Sequence, residues 1–331
     1  YFKAYQRWQG GLSPYDATQV MTYKYSPGVF GLFVLLFWGT VAAGEAWLRF
    51  KALSLLVWAA TVLPVWPRRS ARDWVLLLLG ILWSWKGLLE ALDFGQLEVL
   101  GIAPLLLGFH WASRRPRRAM AMAALLPFMK LPWLVASLGI FLSAGNRKAK
   151  TFATAWGIVA GLGILLPVLT FGFSEWVAAY REWVTVLGLQ TGQILIVEPA
   201  NQSLSAVFGR TTGQAWLGLG VSLILVAIQF WRARAKPLLE ANGLSWLALL
   251  CLTSPLSWRW ASLWFIQLPL WIDRNRHSKK VRWAAAACVG SWLLTQNPVV
   301  QQVGFRHWTD LHGWGFIAAQ WLGIFFLTLG R

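Results

Sequence analysis

Apolar runs of membrane-crossing length recur along this chain, and short clusters of Arg and Lys separate them. No other feature limits the fold so strongly. A helix needs about 20 apolar residues to cross a bilayer, and lipid offers no partner to an exposed peptide group. A soluble core has no use for so many such runs. A membrane β-barrel would show short alternating segments in their place. The chain therefore reads as an all-α polytopic membrane protein, with residues 1–331 forming one transmembrane domain. Hydrophobic residues make up 57% of it and charged residues 13%, in keeping with that class.

The net charge of +18 raises the question of a nucleic-acid partner. The placement of the charges answers it. Arg68, Arg69 and Arg72, Arg114 to Arg118, Arg147 to Lys150, Arg232 to Lys236 and Arg274 to Lys280 all fall between apolar runs. That is the positive-inside pattern of cytoplasmic loops, not a binding stripe. The expected partner is the membrane lipid bilayer, and no nucleic acid is expected. Cys251, Cys288 and the histidines show no metal-ligand spacing. No metal and no cofactor is expected.

With each basic cluster on the cytoplasmic side, the crossings follow in order. Residues 1–27 form the first outer loop, with one short amphipathic helix. Gly28 to Leu48 crosses inward, ending at Arg49 and Lys51. Ala52 to Trp66 is too short for a span and is expected to be half-inserted. Trp74 to Leu92 crosses outward, and Leu97 to Trp111 returns. Ala119 to Ser143 is about one span long, yet basic on both flanks. A single crossing would put one cluster on the wrong side. Two short helices meeting at a break would not, and Pro127 and Pro132 supply the break around Lys130. Phe152 to Phe173 crosses outward to an outer segment, residues 175–214, and Trp216 to Trp231 returns. Leu244 to Ile272 is a second broken hairpin, interrupted between Thr253 and Arg259. Trp283 to Thr295 and Trp314 to Leu329 complete the set.

This map places the polar, Pro-containing breaks on the outer side. Irregular backbone at membrane depth is tolerated only inside protein or beside a wet cavity, and ionisable side chains there mark sites. The breaks offer the cations Lys130, Arg210 and Arg259 and the amides Gln96, Asn201 and Gln202. They also offer the aromatics Tyr23, Tyr25 and Trp258 and the carboxylates Asp16, Asp93 and Glu98. Cations at this depth suit a phosphate held at headgroup level. Amides, carboxylates and aromatic faces suit a sugar, and a carboxylate near a leaving phosphate suits base-assisted glycosyl transfer. Each residue also has a plainer reading. Lys130 could snorkel. Asp16 and Asp93 could cap helices, and Pro199 with Asn201 could open one. Arg259 could be a helix-end arginine reaching the interface.

Several short motifs occur in order: Y-x-Y-x-P (Tyr23, Tyr25, Pro27), G-Q (Gly95, Gln96), K-x-P (Lys130, Pro132), N-Q-S-L (Asn201 to Leu204) and S-P-L-S-W (Ser254 to Trp258). Together they resemble glycosyltransferase family 87, over nearly the whole chain. N-Q-S-L and S-P-L-S-W are the specific elements. The resemblance implies a GT-C-like fold and a sugar donor carried on a polyprenyl phosphate, with mannose as the expected hexose. It also implies a lipid or glycan acceptor, an inverting transfer, and a site on the periplasmic or outer face of the bacterial plasma membrane. Tyr23, Tyr25, Gln96, Lys130, Asn201, Gln202, Arg210, Trp258 and Arg259 are then the expected substrate-binding residues. In such enzymes the catalytic base is an Asp of the first outer loop. The stretch from Tyr1 to Tyr5, followed by G-G-x-x-P-Y, resembles what comes after that Asp. The base and one membrane helix are therefore expected upstream of Tyr1, with Asp16 and Asp93 as fallbacks. One departure stands out. Arg259, Trp260 and Ala261 follow S-P-L-S-W where the family often has an acid and two histidines. That keeps open the reading of an assembly subunit that has lost catalysis. A separate rival is a carrier or flippase for lipid-linked sugars, which should show paired halves or helices broken in matching positions; the sequence shows no convincing internal repeat.

Overall fold

The computed structural model describes residues 1–15, 25–66, 70–93, 96–144, 149–191, 201–235, 241–254, 259–294 and 316–329. Helices account for the secondary elements among them. They run α1 (Phe2–Gln9), α2 (Pro27–Phe37), α3 (Ala43–Val65), α4 (Ala71–Asp93) and α5 (Glu98–Trp111). Next come α6 (Pro116–Met129), a 3-10 turn (Leu131–Trp133), α7 (Leu134–Ala144), α8 (Ala149–Phe171) and α9 (Trp176–Thr191). After these follow α10 (Leu204–Thr212), α11 (Ala215–Ala235), α12 (Ala241–Thr253) and a 3-10 segment (Arg259–Gln267). The last are α13 (Leu268–Arg274), α14 (Lys279–Leu294) and α15 (Phe316–Leu329).

Among the described residues, four helices are long and apolar enough to cross a membrane: α3, α4, α8 and α11. Leu78, Leu82, Ile158, Leu165, Leu169, Leu219 and Leu223 on these helices are exposed. A soluble protein would not present such a belt; a bilayer covers it. The protein is an all-α polytopic membrane protein, as the apolar runs require.

The first crossing differs from the sequence expectation. Gly28 to Leu48 is not one helix. The chain leaves helical geometry at Trp38, turns through Gly39 at φ +72°, and begins a 23-residue helix at Ala43. Ala52 to Trp66, expected to be half-inserted, lies within that helix up to Val65. The Arg49 guanidinium donates to the carbonyls of Leu36 and Trp38, at 3.3 and 3.0 Å. It thus caps the open end of α2, whose last carbonyls have no helical partner. Lys51 pairs with Asp93 at 3.0 Å, at the far end of α4. Arg49 and Lys51 therefore share a side with the α4–α5 turn, opposite the side assigned to them from charge. Charge alone misled here because a helix-end arginine and a topogenic arginine look identical in sequence.

The first broken hairpin occurs where the prolines place it; the residues between Ser254 and Arg259, where the second break is expected, lie outside the described residues. α6 ends at Met129, and α7 resumes after the 3-10 turn. α12 ends at Thr253, and the 3-10 segment from Arg259 leads into α13. Arg72 pairs with Asp273, which also takes Arg276, so the start of α4 and the end of α13 share a side. The outer segment 175–214 contains α9 and α10; the plainer reading of Pro199 and Asn201, a helix start, corresponds to α10, which opens at Leu204.

Proline inside α8 illustrates how the membrane's demand for paired peptide groups is met. Pro167 has no N–H, so the Gly163 carbonyl loses its helical donor. The Tyr180 hydroxyl on α9 donates to that carbonyl at 2.6 Å. A second interaction joins the same region to the N-terminal segment: the Trp8 indole donates to the Thr170 carbonyl at 3.0 Å. Around it, Tyr5, Phe30, Phe33, Phe37 and Phe50 form a buried aromatic cluster.

Candidate functional site

Helices α5 and α6 are each 14 residues long and run antiparallel from the turn at Trp111–Pro116. At 1.5 Å per residue each extends about 21 Å, roughly two thirds of a hydrocarbon core. Equal lengths bring the first residue of α5, Glu98, level with the residue that closes α6, Lys130. The Lys130 ammonium lies 2.7 Å from Glu98 Oε1, and the two side chains are 14% and 3% exposed. The lysine side chain is largely withdrawn from the protein surface. It is held inside the protein by a carboxylate.

Lys130 leaves the helix with extended backbone, φ −155° and ψ 116°. Its N–H still bonds Leu126 at 3.0 Å, and its carbonyl accepts from Trp133 at 2.9 Å. The break is thus hydrogen-bonded on both sides. Pro132 leaves the Phe128 carbonyl without a helical donor, and the Ser26 hydroxyl approaches it at 3.5 Å. That contact brings residues 25–26 beside the break.

Glu98 is clamped more firmly than Lys130. The Trp264 indole donates to the Glu98 carbonyl at 3.1 Å. Trp264 packs edge-on against Trp133, with centroids 5.6 Å apart. Trp133 in turn packs against Gly101, where an added Cβ would come within 2.1 Å of its ring. Only glycine allows that approach. The carboxylate also sits at the start of α5, where the helix dipole favours negative charge.

Tyr25 and Gln96 complete this group. The Tyr25 hydroxyl donates to Gln96 Oε1 at 3.2 Å, and the Tyr15 hydroxyl donates to the Tyr25 carbonyl at 3.0 Å. Tyr25 precedes α2, outside the membrane-length helices. Burial, then the Glu98 charge, pushes its phenol above the usual tyrosine range, so the hydroxyl remains a donor.

Asn201, Gln202 and Ser203, all buried, form a second group. Asn201 Oδ1 accepts from the Ser203 N–H at 3.1 Å, and Ser203 Oγ accepts from Ala206 N–H at 3.2 Å. Ser203 is therefore the N-cap of α10. Arg210, one helix length away, donates to the Asn201 carbonyl at 2.8 Å and closes the loop onto its own helix. The local job of N-Q-S-L is thus a capped helix start, and its side chains are presented from a fixed loop.

Asp93 does not join the buried group. Its carboxylate is 66% exposed and pairs with Lys51. Asp16, Tyr23 and Trp258 lie outside the described residues, as does the Arg259 side chain. Glu98 is the functional candidate that sequence reasoning noticed but assigned no role. An acid opening an apolar run two residues after Gln96 was the available signal. Trp133 and Trp264 carried none, because the chain has 25 tryptophans and most are equivalent on inspection.

Among known proteins, a family model described as glycosyltransferase family 87 matches residues 23–255. That covers more than half of the chain, including both residue groups. No curated protein and no solved structure matches the chain.

Proposed function

The chain belongs to glycosyltransferase family 87, a family of membrane glycosyltransferases, and from that premise we propose that it transfers a hexose, mannose in this reading, from a polyprenyl-phosphate donor. The acceptor is a lipid or glycan on the periplasmic or outer face of a bacterial plasma membrane. The observation that carries this reading is the buried Lys130–Glu98 pair at the broken hairpin. Ionisable side chains on irregular backbone at membrane depth mark functional sites.

In the reaction, an acceptor hydroxyl oxygen bonds the anomeric carbon opposite the phosphate. The bond from that carbon to the phosphate oxygen breaks, and its electron pair leaves on the phosphate. The hydroxyl proton passes to a base, and configuration inverts. Lys130 offsets the charge that builds on the leaving phosphate. Tyr25 and Gln96 stand beside it as neutral hydrogen-bonding groups. Asn201, Gln202 and Arg210, with Tyr23, Trp258 and Arg259, are proposed to contact sugar and acceptor. The base is proposed to be an Asp of the first outer loop; within this sequence Asp16 and Asp93 are only fallback candidates for it.

The test is transfer by the purified full-length protein from a short-chain polyprenyl-phosphate mannose, with polyprenyl phosphate measured as product. A hydrogen bond to a charged group is worth about 1.5–3 kcal/mol, so Lys130→Ala should lower kcat/KM roughly 10- to 200-fold. Lys130→Arg should recover only part of it, because the guanidinium is larger and differently hydrated. A well-folded Lys130→Ala protein with unchanged kinetics would remove this residue from the site.

A further inference from the structure

The Lys130 ammonium meets a carboxylate before any phosphate arrives, and the two partners are held very differently. Glu98 is fixed by its place on the first turn of α5, by the Trp264 indole on its carbonyl, and by burial to 3%. Lys130 is a hinge residue between a helix and a 3-10 turn, on a flexible four-carbon stem. If either partner shifts when an anion enters, it is the lysine. An ammonium has three donors, and Glu98 Oε1 occupies one, leaving two for a phosphate.

We infer that Glu98 is a positioning residue that keeps Lys130 at depth between turnovers and weakens its hold on the phosphate product. The inference rests on the phosphate role of Lys130 proposed above. Its physical basis is charge. Without Glu98, the site would present a net cation to the phosphate. With Glu98, the pair is neutral, and an entering anion also feels a carboxylate a few ångströms away. The donor is a phosphodiester with one negative charge; the product is a monoester with up to two. Glu98 therefore opposes the product more than the donor, and release follows transfer. This also argues against Glu98 as the base. A carboxylate bonded to the phosphate-binding cation lies on the leaving-group side, whereas the acceptor attacks from the opposite face.

Farnesyl phosphate is a soluble stand-in for the product. It should compete with the donor in the wild-type protein. Glu98→Gln should tighten that inhibition roughly tenfold or more, the scale of a unit charge across a few ångströms of protein. The donor KM should fall by a smaller factor, and kcat should fall as product release slows. Glu98→Asp keeps the charge but draws it back from the ammonium, so its inhibition constant should lie between the two. Loss of thermal stability fits either role; a purely structural Glu98 predicts inhibition unchanged or weaker in both variants, and that result overturns the inference. If Glu98→Gln does not fold, Glu98→Asp decides on the same criterion. Farnesyl phosphate that neither inhibits nor thermally stabilises the wild type also overturns it. Should the wild type bind farnesyl phosphate yet fail to use the mannose donor, the donor assignment fails, and the thermal-shift comparison of the variants still judges Glu98.

Discussion

Lys130 and Glu98 make opposite demands on stability and on chemistry. Removing one charge leaves the other buried without its partner, which typically costs about 3–5 kcal/mol. Replacing both by apolar residues of similar volume often costs little. Lys130→Met should therefore lower the thermal unfolding temperature clearly, and Glu98→Leu added to it should restore most of the loss. Transfer should stay low in both. Recovery of activity together with stability would mean the pair is only structural. Gly101 tests the support beneath the pair. Gly101→Ala places a methyl against the Trp133 ring, and overpacking costs roughly 1–3 kcal/mol. Because Trp133 directly follows the break and touches Trp264, both stability and donor turnover should fall.

At the scale of elements, the prolines do two jobs. Pro127 and Pro132 frame a break that leaves Lys130 out of a helix, and the surrounding bonds are remade locally. Pro167 kinks no site; it frees one carbonyl, and α9 supplies the donor. Tyr180→Phe should destabilise the protein by about 1–3 kcal/mol, the cost of an unsatisfied buried acceptor. Pro167→Ala restores the N–H to α8, so the Tyr180→Phe penalty should shrink in that background. A double-mutant cycle on thermal unfolding reads this coupling directly; two additive effects would show that the tyrosine is not answering the proline.

For the whole molecule, the ion pairs define two sides. Lys51 with Asp93 marks one end of α4, and Arg72 with Asp273 and Arg276 marks the other. The basic loops near Ser113 and Ser278 are assigned to the cytoplasm by the positive-inside rule. Val41, in the turn before α3, is 88% exposed and belongs to the opposite side. An impermeant thiol reagent on intact cells should label Val41→Cys and spare Ser113→Cys and Ser278→Cys until the membrane is opened. Labelling of the last two in intact cells would invert the map and move the Lys130 site to a depth reached from the cytoplasm.

The sequence by itself determined the class, because lipid tolerates only closed hydrogen bonding and long apolar runs have one way to satisfy it. It also determined where the first hairpin breaks, since proline removes a donor wherever it stands. It singled out Lys130, Gln96 and Tyr25, which the structure gathers beside one another. Asn201, Gln202 and Arg210 were equally legible as residues, but their bonding inside one loop was not. Tertiary structure alone decided what the charges are for. Arg49 looked topogenic and caps α2; Lys51 looked cytoplasmic and meets Asp93; Glu98 looked incidental and holds Lys130. A charge in a sequence has a sign but no partner. In a medium that screens little, the partner decides whether that charge orients a helix, closes its end, or waits for a ligand.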